Sequence, residues 1–308
     1  MDVSKELQTL RKLVETCMEK LEKLENHQQT ETVRAEEPVE SEVTNPEFKN
    51  LKDLLNSDQW PHAVPPDLIC DIASEEDKME RAEGVLSIVL DQSLNGSKFL
   101  DFGCGEGHMA VQAKKEGAEV SVGYDIKEQF WDKPSVANVT ILTTEFEKVK
   151  ENGPYDTILI YDLLDHVEDQ ELVLEQIKQV SKPETRIFAR VHPWAGRHAS
   201  HLYKKINKAF VHLVFSEEEL DEMGFELKED SKKPNNPALL PLHTYAKLFK
   251  SKFEIISQDI DRDPIEGFFK NNQLVKSRIM KNFAGKDVGN FPNYQMGQSF
   301  IDYKLKIS

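Results

Sequence analysis

Cysteine is scarce in this chain, and positive charge is outnumbered. Of its 308 residues only 3 are cysteines, Cys17, Cys70 and Cys104. An odd number without close pairs argues against a disulfide framework and against a zinc site, and fits a reducing compartment. Lys and Arg number 39 against 55 Asp and Glu, a net charge of −16. Such a field repels phosphate, so nucleic acid is not expected as a partner. No apolar run reaches transmembrane length, and none follows the opening Met-Asp-Val-Ser-Lys-Glu. The expectation is a soluble, cytoplasmic protein with no membrane role.

Apolar residues make up 39% of the chain, enough for a core, and they are unevenly placed. Val3, Leu7, Leu10, Val14, Cys17, Leu21 and Leu24 alternate spacings of four and three, an a/d seam that predicts a coiled-coil helix over residues 1–27. It would make the protein a homo-oligomer or dock it to a partner; an amphipathic helix folded back on its own domain is the alternative. Residues 28–46 lose their apolar content and read as an acidic tether. Residues 47–308 then form the globular domain.

Within that domain, Ser74 and Asp77 form a capping box for a helix from Glu75 to about Leu90. Strands are expected at Lys98–Phe102, Glu119–Tyr124, Val139–Thr143, Thr157–Tyr161 and Arg186–Val191, with helices at His108–Glu116 and Asp169–Val180. Two more strands follow, Phe253–Asp259 and Ser299–Ile307. Between them an inserted segment at about 263–298 carries a helix over Gly267–Asn282. The alternation predicts an α/β fold, a doubly wound, seven-stranded and mostly parallel sheet. Lys208–Phe215 reads as a short strand or part of a lid, and Ser216 caps a helix ending near Gly224.

The sharpest local feature is Asp101-Phe102-Gly103-Cys104-Gly105-Glu106-Gly107, where the first strand turns into a helix. Glycines there allow tight turns and close approach of a ligand to the backbone. The third glycine of a dinucleotide fingerprint is replaced by His108, and no Gly-Lys-Ser/Thr phosphate loop is present. Asp101 beside the turn would repel phosphate and suits a cationic or amino-bearing ligand. Asp125, ending the next strand about twenty residues on, suits the two hydroxyls of a ribose, although Asp is also a common helix cap.

Strand, glycine turn, second-strand acid and the seven-strand pattern together resemble the class I methyltransferases, over roughly Phe99–Phe225 and through the last two strands. The resemblance implies a Rossmann-like methyltransferase fold with S-adenosylmethionine as cofactor. It further implies that Asp101, Phe102, Gly103, Cys104, Gly105 and Gly107 wrap the methionine and ribose end. Asp125 would hold the ribose, with Ile126 beside it; Glu145 and Phe146 would flank the adenine; Asp162 completes the cofactor-binding set. Asp162-Leu163-Leu164-Asp165-His166-Val167 resembles the acidic-His-Val stretch of small-molecule enzymes, including those of quinone biosynthesis. The Pro-Pro-Tyr motif of DNA amino-methyltransferases and the Pro-Cys nucleophile of cytosine-C5 enzymes are missing.

Ligands of open α/β sheets meet beyond the carboxyl ends of the strands, so the loops after strands four and five should bind the acceptor. His166 is a candidate base, poised to titrate near neutrality; capping of the next helix is its structural alternative. The second loop concentrates His192, Trp194, Arg197, His198, His201 and Tyr203. His192 and His198 join His166 as candidate catalytic groups. Trp194, Arg197, His201 and Tyr203 are candidate substrate contacts, offering stacking faces and an anion grip. The spacing of the three loop histidines matches no familiar zinc pattern, so no metal is expected. Lys270, Lys276, Arg278 and Lys281 on the inserted helix read as a solvated face, with a basic surface for an anionic substrate or partner as the alternative.

The expectation is an S-adenosylmethionine-dependent methyltransferase acting on an O or N nucleophile of a small or medium polar acceptor. A non-catalytic assembly protein that keeps the fold and oligomerises through the coiled coil is the competing reading.

Overall fold

A computed structural model of the chain describes residues 46–64, 74–90, 92–128, 131, 141–202, 205–225, 242–262, 266–283 and 298–308. The coiled-coil seam at residues 1–27 and all but the last residue of the tether at 28–46 lie outside them, and nothing in the structure supports the coiled coil. The chain divides into two compact units, Met1–Lys49 and Asn50–Ser308. Helix α1 spans Pro46–Leu55. No helix among the described residues is long and apolar enough to cross a membrane.

The second unit is built on seven strands: β1 (Lys98–Phe102), β2 (Val120–Tyr124), β3 (Ile141–Thr143), β4 (Tyr155–Tyr161), β5 (Ser181–Val191), β6 (Phe253–Arg262) and β7 (Gln298–Ile307). Their order is β3-β2-β1-β4-β5-β7-β6. The first five pair in parallel, whereas β7 runs antiparallel to β5 on one side and to β6 on the other. The sheet is therefore mixed, which corrects the expectation of a mostly parallel one. The chain returns after the inserted segment and threads β7 between β5 and β6. Nothing in the apolar patterning of a strand records its direction.

Each strand has its residue types for a reason. Ile158, Leu159 and Ile160 of β4 are all fully buried, because helices cover both faces of a central parallel strand. In β7 only alternate residues, Ile301, Tyr303 and Leu305, are buried. One face packs Leu100, Val122, Ile158, Ile160 and Ile187 against helix α5 (Gln170–Gln179) and helix α8 (Leu242–Lys250). The other packs Phe99, Leu159 and Phe188 against helix α2 (Glu75–Val89) and helix α3 (His108–Lys115). Each fully buried aliphatic side chain contributes roughly 1.5–3 kcal/mol.

The helix ends follow the expected capping chemistry. Ser74 accepts from the Asp77 amide and Asp77 accepts from the Ser74 amide, a closed capping box on α2. Ser216 and Glu219 repeat it on α7 (Glu217–Glu222). Helix α4 is Phe146–Asn152. Three expectations are corrected. The apolar run before Ser216, expected as a short strand or part of a lid, contains a short helix, α6 (Val211–Val214), and no strand. The inserted helix is two, α9 (Glu266–Asn271) and α10 (Gln273–Phe283), broken at the buried Asn272. Arg278 does not join a basic face: it is buried, donates to the Val214 carbonyl and pairs with Glu219.

Candidate active site

The strand order reverses beside β1, with β2 on one side and β4 on the other, which opens a crevice at the carboxyl ends of these strands. On the β1 side lies the glycine turn. The amides of Gly103 and Cys104 both donate to the Tyr124 carbonyl, and Gly107 donates to the Cys104 carbonyl. Gly103, Gly105 and Gly107 hold φ of 89°, 51° and 87°, left-handed values that favour glycine. A Cβ on Gly105 would meet nothing within 4 Å, so open space faces the backbone there. Its amide donates to Asp125 Oδ2 at 2.9 Å, and the Lys127 amide donates to Asp125 Oδ1 at 3.2 Å. The turn thus aims the second-strand carboxylate across its own mouth.

Asp101 is buried, and its Oδ2 has no hydrogen-bond partner among the described residues. Burial, with Asp125 adding, pushes its pKa up to about 7. An unsatisfied buried carboxyl is costly unless a donor or cation arrives. Phe102 is in the core against Tyr124 and Phe146. Cys104 is a buried thiol pushed far up by burial and by Asp101 and Asp125. Ile126 is 74% exposed, an apolar side chain in solvent next to Asp125. Phe146 is half-buried on Phe102 and Tyr124, and Glu145 is exposed and paired with Lys148 at 2.8 Å. Trp131, absent from the sequence expectations, donates its indole N–H to the Gly105 carbonyl at 2.8 Å. The adjacent aromatics Phe130 and Trp131, five and six residues after Asp125, were the available signal.

On the other side of the crevice the loops after β4 and β5 meet. Asp162 holds a left-handed φ of 53°, uncommon away from glycine. Its Oδ1 accepts from His192 Nε2 at 2.8 Å, and Arg81 stands 3.8 Å from its Oδ2. Asp162, expected in the cofactor-binding set, is therefore tied to a histidine of the loop after β5. His192 Nδ1 lies 2.8 Å from His198 Nε2 and 3.1 Å from the Ser299 carbonyl. Burial lowers the His192 pKa, but Asp162, Asp165 and Ser299 outweigh it and lift it to about 9. Burial and the cationic His192 push His198 well down. The pair is then an imidazolium donating from both nitrogens, with neutral His198 accepting.

A 3-10 turn, Leu164–His166, carries Asp165 and His166 into the same space. Asp165 is buried; burial raises its pKa, and the facing His201, His192 and His166 bring it down to about 2. The His166 ring stacks on that of His201 at 4.6 Å and its side chain is 44% exposed. His201 is buried at a φ of 52°.

Not every candidate substrate contact faces the crevice. Trp194 is buried, edge-on to His212, whose Nε2 donates to the Trp194 carbonyl. Arg197 donates to the His62 carbonyl at 2.7 Å, and the Arg197 carbonyl accepts from Phe210. Trp60 Nε1 donates to Ala209, while Asn207 exchanges hydrogen bonds with Val64. These bonds stitch the loop after β5 to residues 57–64. Tyr203 lies outside the described residues.

This arrangement, a glycine turn after β1, a carboxylate ending β2 and a crevice at the strand reversal, defines a nucleotide-type ligand site of the Rossmann-like class. Residues 75–251 match the family described as "Methyltransferase domain". The chain belongs to that family, and the domain is of the S-adenosylmethionine-dependent class I kind. Among curated relatives, it is similar to the ubiquinone biosynthesis O-methyltransferase of Escherichia fergusonii, 31% identical over 102 residues, which cover 31% of this chain and 42% of that protein. The Escherichia coli K12 protein of the same name is 32% identical over 106 residues. The chain thus spans about two fifths of the length of the curated relatives it matches. Similar solved structures include an S-adenosylmethionine dependent methyltransferase from Mesorhizobium loti (13% identity, TM-score 0.42, covering 73% of this chain and 97% of that one). Another is magnesium protoporphyrin IX methyltransferase from Synechocystis with bound SAH (15% identity, TM-score 0.40, covering 75% and 83%). The residues present fit the cofactor: the orphaned Asp101 oxygen suits a cationic amino-acid end, and the open space at Gly105 suits close approach. Neither the fold nor the matched family supports the competing assembly-protein reading.

Proposed function

We propose that the chain methylates an oxygen or nitrogen nucleophile of a small or medium-sized polar molecule. The observation that carries this is the His/Asp cluster at the carboxyl ends of β4 and β5, one strand away from the glycine turn that ends β1. When bound, S-adenosylmethionine supplies an electrophilic methyl group on its sulfonium. The chain then has to position the acceptor, exclude water and dispose of one proton.

For the cofactor, Asp101 would meet the amino-acid end, Gly103, Gly105 and Gly107 would follow its backbone side, and Asp125 would hold the ribose hydroxyls. Ile126 gives the adenine an apolar surface, with Phe146 and Glu145 flanking it. For the acceptor, His166 is the exposed member of the cluster and would meet the incoming group. Asp162, His192 and His198 form the hydrogen-bonded chain beneath it. Arg197 and Trp194 would shape the wall by holding the loop after β5 down, rather than by stacking on the acceptor.

Calorimetric titration with S-adenosylmethionine and S-adenosylhomocysteine, on this protein and on Asp125→Ala, tests the reading. Micromolar binding that collapses in the variant supports it and leads to an acceptor screen with labelled methyl donor. No binding of either ligand by the intact protein sinks it.

A further inference from the structure

Asp165, His166 and His201 come from two loops and converge on one point at the acceptor side of the crevice. One ligand atom from each lies within 4.8 Å of the others. Asp165 Oδ2 stands 3.7 Å from His166 Nε2 and 3.8 Å from His201 Nε2. These separations are long for hydrogen bonds and suit donors around a shared ion, since imidazole nitrogen and carboxylate oxygen each bind zinc at about 2.0–2.2 Å.

Two further observations point to a ligand. Asp165 is 1% exposed, and its second oxygen, Oδ1, has no hydrogen-bond partner among the described residues. Buried carboxylates are normally paired and fully hydrogen-bonded, or they coordinate a metal. His201 holds a left-handed φ of 52°, and its ring stacks on that of His166 at 4.6 Å. A second cluster, Glu75, Glu106 and His108, makes a useful contrast. There the Lys78 ammonium already sits 2.8 Å from Glu106 and 3.7 Å from Glu75, so a cation is in place.

We propose that Asp165, His166 and His201 bind a first-row divalent metal ion of the zinc, ferrous or manganous class. Two histidines and one carboxylate are three protein ligands, which leave coordination positions open for water or an acceptor. Asp165 and His201 are buried while His166 is exposed, so the open side is the one an acceptor would reach. The inference rests on the proposed acceptor site and narrows it to molecules offering the ion an oxygen. A hydroxyl on the ion loses its proton to solvent near neutral pH. His166 would then act through the ion rather than as a free base.

The test uses the full chain, purified without a histidine tag and stripped with chelator. It is titrated with Co2+ by visible absorption and with Zn2+ and Mn2+ by calorimetry. One ion per chain is expected. In Asp165→Asn and in His166→Gln, affinity should fall by more than the about 10–100-fold that losing a ligand-orienting neighbour costs. His166→Gln changes an exposed side chain and keeps the test valid should Asp165→Asn fail to fold. No stoichiometric uptake, or uptake unchanged in both variants, overturns the site. Cofactor binding is titrated on the same samples. Metal uptake without cofactor binding upholds the metal site and defeats the methyltransferase proposal. Methyl transfer that survives chelation in a chain taking up no metal does the reverse.

Discussion

His192 donates from Nε2 to Asp162 Oδ1 at 2.8 Å, joining the carboxyl ends of β5 and β4 through their side chains. The groups facing that imidazole are Asp162, Asp165, His198 and the Ser299 carbonyl. Its pKa in the fold, about 9, lies above the ordinary 6.5. The stabilisation it brings is fully present below pH 6.5 and is lost as pH rises through 9. At about 1.4 kcal/mol per pKa unit this amounts to about 3 kcal/mol. Urea unfolding of Asp162→Asn should show a much flatter stability between pH 6.5 and 9, with lower stability at the acid end. Equal slopes for parent and variant would remove Asp162 as the cause.

Asp101 has the opposite charge logic. Burial first, and Asp125 second, raise its pKa from 3.8 to about 7. A raised carboxyl stabilises the fold fully below pH 3.8, and this is lost as pH rises through 7. Asp101→Asn should melt higher than the parent at pH 8 and bind S-adenosylmethionine at least about tenfold more weakly, about 1.4 kcal/mol. A variant that melts higher and binds the cofactor normally would leave Asp101 without a role in the site.

The Trp131 indole N–H on the Gly105 carbonyl ties a residue beyond β2 to the glycine turn. Of the three tryptophans, Trp60 and Trp194 are buried. Cofactor binding should therefore change the emission of Trp131, and Trp131→Phe should abolish that change. Losing one hydrogen bond of about 1 kcal/mol should weaken binding about fivefold. A signal that persists in the variant would place the responding tryptophan elsewhere.

All seven strands were legible in the sequence because buried strands read as short runs of β-branched and aromatic residues. Their boundaries slipped where tertiary contacts extend them. β5 begins at Ser181, five residues before the apolar run, because the Thr185 hydroxyl donates to the Tyr155 carbonyl and secures the polar stretch. The antiparallel course of β7 was not legible, since alternation is the same in either direction. The glycine turn was legible because its chemistry is local, within seven residues. The members of the His/Asp cluster were named from the sequence, but their pairings were not legible, because pairs such as Asp162 with His192 join loops thirty residues apart. The spacing of His192, His198 and His201 carries no trace of Asp165 and His166, which stand beside His201 only in the fold. Arg278 looked like surface charge because nothing local announces Glu219 as its partner.

The place of β7 sets an order of events during synthesis. β5 emerges from the ribosome more than a hundred residues before the strand that covers its outer edge. Until residues 298–307 arrive, that edge is an open row of backbone donors and acceptors. The Ser299 carbonyl that faces His192 arrives with the same strand. A nascent chain can therefore assemble the parallel, glycine-turn half of the sheet early, while the histidine half waits for the last strand. Ligand capture on the first half before the second is built would make the cofactor a folding aid as well as a reactant.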